Sequence, residues 1–261
     1  MDRIEPTVAK LAGEWPAWGH RKIWAMGGFD GHDLGSQSSV RRAMARRGLL
    51  QPVAYQAERR ELAKARRDVF VEPVTRRNRV WQADFSEIET FGEGIWRFCP
   101  VVDYHAKVCL AAPVSPTSTA ADLLWAFDMA IAESEQLLGV SLQHETVDVG
   151  TGEIYGLTIV TDNGPAMKSI AVARWFADRP WIRHVRTRVR SPETNGVVER
   201  TIGSFKYEHL YRHELATGLD VAEQLEHARH VFNSIRPHEA LDWQRPLDHY
   251  LRNPQTETDE K

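Results

Sequence analysis

The sequence predicts an α/β domain with a mixed five-stranded sheet and flanking helices, preceded by a small all-α region. Three observations predict it. Residues 80–115 read as three strands separated by short turns, residues 118–234 alternate helices with short apolar strands, and residues 1–50 hold three short helical patterns. Strands joined by tight turns form an antiparallel meander, and strands separated by helices pair in parallel. Together they give a mixed sheet with helices on its faces.

The elements follow in order. "EPTVAKLAGEW" places Val8, Leu11, Ala12 and Trp15 at helical spacing, with Pro6 suited to a first turn. "HRKIWAM" fits a second helix stopped by Gly27-Gly28, and "SQSSVRRAMARRGLL", residues 36–50, fits a third that ends at Gly48. Val40 and Met44 share one face of the third helix, while Arg41, Arg42, Arg46 and Arg47 crowd the others. Residues 1–50 therefore read as a helix-turn-helix region, residues 51–79 as a basic linker, residues 80–252 as the main domain with a C-terminal helix, and residues 253–261 as a disordered tail. Within the main domain, "VWQADFSEIET", "IWRFCPVVDY" and "KVCLAAPVS" read as strands. A helix over 118–139 is capped by Ser118 or Thr119 and closed by Gly139. "LTIVTD" is a strand, "MKSIAVARWFAD" a helix and "WIRHVRT" a strand; a helix then lies within 191–210 and the last spans about 221–234.

Composition narrows the class. The chain is 42% apolar and 26% charged, which is ordinary for a globular domain. No apolar run is long enough to span a bilayer. Cys99 and Cys109, ten apart, match neither a zinc motif nor a disulfide framework, and a reducing cytoplasm suits them. The net charge of −3 hides an asymmetry: residues 1–80 hold 16 Lys and Arg against 9 Asp and Glu, and the remainder 17 against 27. A basic head on an acidic body points to an anionic polymer or to a solvated basic face.

Three acids stand out. Asp84 sits mid-strand beside Val80, Gln82 and Ser86, Asp162 ends a strand before "NGP", and Glu199 lies near a helix start with Lys206 seven residues on. At that spacing Glu199 and Lys206 share one face of a straight helix. Each acid has a structural alternative: an arginine pair for Asp84, a turn cap for Asp162, a match to the helix dipole for Glu199. Jointly, the strand order lets all three converge. Close carboxylates cannot all stay ionised without a cation, and hard oxygen ligands call for Mg²⁺ or Mn²⁺. Two such ions, about 4 Å apart, serve attack and departure of oxygens at phosphorus.

The stretches "VWQADFSEIE", "IVTDNGPAMKS" and "SPETNGVVERTIGSFKYEHL" resemble the three blocks of the DDE transposase and retroviral-integrase superfamily, with 36 residues between Asp162 and Glu199. The segment from "WPAWGHRKIW" to "ARRGLL" resembles the helix-turn-helix region of OrfB-type transposases of bacterial insertion sequences, and "FNSIRPHEALDWQRPLDHYL" resembles their closing segment. The resemblance covers about residues 8–252. It implies an RNase H-like core and metal-dependent strand cleavage and strand transfer at element ends. Asp84, Asp162 and Glu199 would be the catalytic metal ligands for two Mg²⁺, with Mn²⁺ able to substitute. Lys206, Asn195, Asn163 and Arg200 would contact DNA, as would Arg41, Arg42, Arg46 and Arg47 of the basic helix. The implied partners are terminal inverted repeats and target DNA, further copies of the chain, and an upstream-frame partner or fusion; the implied location is the cytoplasm, on the nucleoid when DNA-bound. The alternatives are an inactive or repurposed DNA-binding relative and an RNase H-fold nuclease that does not join strands.

The sequence departs from the family pattern in "GVSLQHETVDVGTGEIYG", residues 139–156, which reads as a hairpin insertion, and in lacking the His-His-Cys-Cys zinc module of the viral branch. His105 and His184 read as structural, Trp81, Trp96, Trp125 and Trp175 as core, and Arg186, Arg188 and Arg190 as a DNA guide.

Overall fold

The computed structural model describes residues 3–14, 19–50, 74–147, 154, 156–186 and 192–252. Most of the expected linker and the whole expected tail lie outside the described residues, as do Arg188 and Arg190. The chain divides into two compact units, Met1–Ala63 and Lys64–Lys261.

The first unit holds α1 (Glu5–Glu14), α2 (His20–Phe29) and α3 (Gln37–Arg46). Their apolar stripes meet in a small core of Val8, Leu11, Ala12, Ile23, Leu34, Val40, Ala43 and Met44. Ser36 caps α3 through the Ser39 amide, and Gly48 turns the chain away at φ 66°. One expectation fails: α2 runs through Gly27-Gly28 to Phe29. The reason is packing, since a Cβ on Gly27 would lie 2.2 Å from Leu34 Cδ1. Gly27 gives room to a neighbour rather than ending the helix.

The second unit contains a five-stranded sheet, ordered β5-β4-β1-β7-β8, from β1 (Val80–Ala83), β4 (Val101–Asp103), β5 (Cys109–Ala111), β7 (Leu157–Thr161) and β8 (Ile182–Arg186). β1 runs antiparallel to β4 and parallel to β7, so the sheet is mixed. A second sheet, β2-β3-β6, joins β2 (Ser86–Thr90), β3 (Gly94–Phe98) and β6 (Val114–Ser115). Each of the three strands expected over 80–115 is thus two strands that pass from one sheet into the other. The breaks fall at Asp84-Phe85, Cys99-Pro100 and Ala112-Pro113. Proline has no N–H for a ladder, which interrupts two of the three.

Helices cover both faces of the larger sheet. On one, α4 (Ala120–Leu138) and α6 (Ile170–Ala177) bring Leu123, Phe127, Ala130, Val172 and Trp175 against Trp81, Val101 and Ile159. On the other, α7 (Pro192–Ser204) and α8 (Gly218–Ser234) bring Val198, Val221, Leu225 and Phe232 against Val102 and Cys109. A capping box of Thr119 and Asp122 starts α4, and Gly139 at φ 69° ends it. A short helix, α5 (Leu142–Glu145), and an antiparallel bridge between Val147 and Ile154 occupy the described part of the insertion.

Residues 74–79 belong with this core. Arg77 binds Glu145 and the carbonyls of Tyr250 and Arg252, and buried Asn78 accepts from the hydroxyl of Tyr250 on α9 (Pro246–Leu251). Trp81, Trp96 and Trp175 pack as expected, but Trp125 is 48% exposed. It lies with Met129 on the side of α4 opposite Leu123, Phe127 and Ala130. Both cysteines are free and buried. Gly218 opens α8, where a Cβ would come within 2.3 Å of the Trp96 ring. Gly218→Ala is therefore expected to lower stability by about 1–3 kcal/mol in urea unfolding, with Trp96→Ala recovering part of the loss in the double variant.

Candidate active site

The sheet register places the first two acids. Ala83 of β1 and Thr161 of β7 are the last partners of a parallel pair, so Asp84 and Asp162 are the next residue of each chain. Adjacent strands lie about 4.8 Å apart, and both acids leave the same edge of the sheet. Asp162 also accepts the Gly164 amide at 3.0 Å, so it stiffens its turn as the structural alternative required while facing Asp84.

Gln82 places the third. It is fully buried in β1, and its Oε1 accepts from the backbone amides of Val197 and Val198 on α7, both at 3.1 Å. Side chains alternate along a strand, so Gln82 and Asp84 look toward the same helix. Val198 is immediately followed by Glu199. Gln82 is thus the strut that fixes the height of the Glu199 helix over the sheet. The signal for it in the sequence is an uncharged polar residue two positions before an acid in an apolar strand. Gln82→Leu leaves two buried amides without that acceptor and is expected to cost about 1–3 kcal/mol in denaturant unfolding.

The acids act on one another. Asp84 is pushed up to about 7, first by burial, then by the Asp162 charge and further by Glu199, against a lowering hydrogen bond from the Phe85 amide. Among the described residues, none of the three forms an ion pair. Nor, among them, does any group of three Asp, Glu, His or Cys side chains close tightly enough to hold one ion. The convergence expected from the sequence is therefore electrostatic coupling rather than a closed ligand shell. Like charges close together raise the pKa of the more buried carboxyl, here Asp84.

The other expected contacts spread around this edge. Asn163 accepts from Arg186 at 3.4 Å, which ties the residue after the second acid to the end of β8. Arg200 donates to the Gly196 carbonyl at 2.9 Å. The side chain of Asn195 lies outside the described residues. Beyond Ser204 the helix widens into a π-helical turn, Phe205–His209, so the straight phase that put Lys206 and Glu199 on one face does not continue. Burial lowers the pKa of Lys206, with Glu87 opposing. In the first unit, Glu5 holds Arg46 and Arg47, while Arg41 and Arg42 are exposed and Arg42 reaches Ser39 Oγ at 3.4 Å.

His105 and His184 are structural, as expected. His105 meets the Val74 carbonyl and His249, and His184 stacks on Phe176 and bonds Thr161. Burial pushes His184 down to about 4.

Known proteins resemble this chain in sequence and in fold. The family profile described as "Integrase core domain" matches residues 181–246, which include Glu199 and most of the closing helices. An Escherichia coli protein, the insertion element IS2A uncharacterized 48.2 kDa protein, is 26% identical over 257 residues, covering 94% of this chain and 55% of its own length. The chain therefore spans about half of that relative. Transposase InsD of insertion element IS2 from Escherichia coli is 26% identical over 256 residues, covering 94% of this chain and 77% of its own length. Among solved structures, the simian T-cell lymphotropic virus intasome in complex with PP2A regulatory subunit B56 gamma has a chain with a TM-score of 0.51 at 18% identity, covering 95% of this chain and 75% of that one. That likeness shows the fold: an RNase H-like mixed sheet with flanking helices. Among the described residues no helix is long and apolar enough to cross a membrane. The chain is thus similar to integrase core domains over residues 181–246 and to insertion-element proteins of Escherichia coli along 94% of its length.

Proposed function

We propose that this protein is a DDE-type polynucleotidyl transferase that cleaves DNA at the ends of an insertion sequence and joins the freed strands to target DNA. The observation that supports the reading is the parallel register of β1 with β7, which makes Asp84 and Asp162 the next residue of each chain, with Gln82 holding the Glu199 helix beside them. Carboxylates without an ion pair among the described residues are a donor set for a hard divalent cation, Mg²⁺ with Mn²⁺ as substitute. Asp84, Asp162 and Glu199 would hold two such ions. When bound, they supply Lewis acidity at the scissile phosphate.

The chain's own residues do the rest. Asp84 must lose its proton to serve as a ligand, so its raised pKa makes ligand formation and proton release one event. Gln82 holds the Glu199 helix in register with the strand ends. Water or a terminal 3′-hydroxyl attacks phosphorus and gives up its proton to solvent, a new P–O bond forms, the opposite P–O bond breaks, and the leaving oxygen takes a proton from solvent. No covalent enzyme intermediate is needed. Asn163, Asn195, Arg200 and Lys206 would lie along the strand being cut, and Arg41, Arg42, Arg46 and Arg47 would carry the terminal repeat. Two element ends must be held together, so the working form is a homo-oligomer on DNA, with an upstream-frame partner or fusion contributing. Its site of action is the nucleoid.

The test is a pre-cut element-end duplex with a free 3′-hydroxyl, incubated with the protein, plasmid target and Mg²⁺. Joined product supports the reading. Cutting without joining reassigns the chain to a nuclease, and DNA binding without either reaction reassigns it to an inactive relative.

A further inference from the structure

A cavity of about 590 Å³ lies on the flank of α7 away from the acids, lined by Lys107, Arg200, Thr201, Arg236, His238 and Trp243 among others. Its lining is mainly basic, with Glu239 as the carboxylate. Arg236 is spoken for, since its guanidinium binds both oxygens of Glu208 at 2.9 Å. Lys107 donates to the Tyr104 carbonyl and Arg200 to that of Gly196, and neither meets a carboxylate at ion-pair distance among the described residues. Two cations without a carboxylate at ion-pair distance thus line one space.

His238 gives an independent sign. Its Nδ1 is buried and has no hydrogen-bond partner. Burial lowers its pKa first, and the charges of Arg236, Lys107 and Arg200 lower it further, with only Glu239 opposing. Burial lowers the pKa of Lys107 first, Asp103 opposes, and Arg200 lowers it further. A buried polar atom without a partner is costly, and so are like charges without a counter-ion. An anion in the cavity relieves the repulsion among the cations.

The rim says which kind of anion. Trp243 is 67% exposed and stands at φ 64°, directly after Asp242 at φ 52°. Two successive non-glycine residues in the left-handed region are unfavourable. The loop holds them there with bonds from the Trp243 amide to the His238 carbonyl and from the His238 amide to the Gln244 carbonyl, each 3.0 Å. An indole presented over a basic cavity suits a nucleotide unit, with phosphate below and base on the ring.

We propose that this cavity seats a backbone phosphate of an unpaired DNA strand, whose neighbouring base stacks on Trp243. The proposal rests on the transferase reading for its choice of polymer. It adds a subsite on the opposite flank of the helix that carries Glu199, so one helix would both present an acid and grip the strand.

The test is fluorescence anisotropy of the full chain with a labelled duplex bearing an unpaired 3′ overhang, in EDTA, over a salt series. Trp243→Ala is expected to weaken binding roughly tenfold with an unchanged salt slope, and Trp243→Phe to restore it. Lys107→Asn, chosen because asparagine tolerates the left-handed backbone of that position, is expected to weaken binding several-fold and to reduce the slope by about 0.7–0.9. Unchanged affinity in Trp243→Ala, an exposed site where folding is not at stake, overturns the proposal. So does saturable calorimetric binding of inorganic phosphate with no effect of either variant on DNA, which would assign the cavity to a small free anion. Because EDTA removes the joining step, a parent protein that fails to join strands would sink the transferase reading and leave this result interpretable.

Discussion

Asp84→Asn, Asp162→Asn and Glu199→Gln are each expected to lower Mg²⁺-dependent strand transfer by at least about a thousandfold, equivalent to roughly 4 kcal/mol of barrier. Binding of the element end should stay close to that of the parent. The split follows from where the groups sit. Asp84 and Asp162 follow adjacent strands of the larger sheet and Glu199 lies on α7, while the basic residues assigned to DNA lie on α3, on another flank of α7 and in the π-helical turn. Removing one carboxylate takes away a ligand without taking away a phosphate contact. Isosteric amides keep the shape, so a lost fold would show separately in the melting temperature. Joined product counted on a gel and end binding by mobility shift give the two readouts. Strand transfer retained in all three variants would contradict the assignment.

In metal-free protein, the same Asp84→Asn change is expected to raise stability at pH 8. Folded Asp84 takes up its proton at about 7, against an unfolded value near 3.9. Between those values the folded chain binds more protons than the unfolded chain, so its stability falls as pH rises. Above pH 7 the penalty is complete, on the order of 2–4 kcal/mol, since each pKa unit corresponds to 1.36 kcal/mol. Below about pH 4 both states are protonated and the penalty vanishes. The asparagine variant carries no charge at any pH. Urea unfolding in EDTA at pH 4, 6 and 8 should therefore show the variant gaining on the parent as pH rises. Parallel stability curves would mean that Asp84 ionises freely and that the acids do not interact. Added Mg²⁺ should remove the parent's deficit at pH 8 and leave the variant unmoved.

Much of this was legible in the sequence because it rests on short-range patterns. The alternation of "VWQADF" put Gln82 and Asp84 on one face, and that face turned out to look at α7. Thr119 and Gly139 bracket a helix by capping chemistry alone, and the structure ends α4 within a residue of both. What the sequence hid was long-range. Nothing local says that the strand begun at Val80 leaves one sheet at Asp84 and enters another at Ser86. Gly27 carries the same symbol as a helix stop, yet it is needed for the approach of Leu34. Trp125 sits in an apolar run, but only the packing of α4 decides which residues of that run face the sheet. The cavity beside Arg200 is assembled from residues more than a hundred positions apart, Lys107 and His238, and neither is unusual alone. The three acids stand between these cases. Their order and spacing suggested a common site, and the register of β1 with β7 accounts for two of them. The position of the Glu199 helix depends on the Gln82 contact, which no spacing reveals.

Manganese binding tests the central claim most directly. Electron paramagnetic resonance of free Mn²⁺ at pH 8, titrated with protein, reads the bound fraction without DNA or turnover. The account predicts saturable binding by the parent that is lost or strongly weakened in Asp84→Asn and Asp162→Asn, with both variants folded. Equal Mn²⁺ binding by parent and variants, or none by the parent even when an element-end duplex is present, would contradict it.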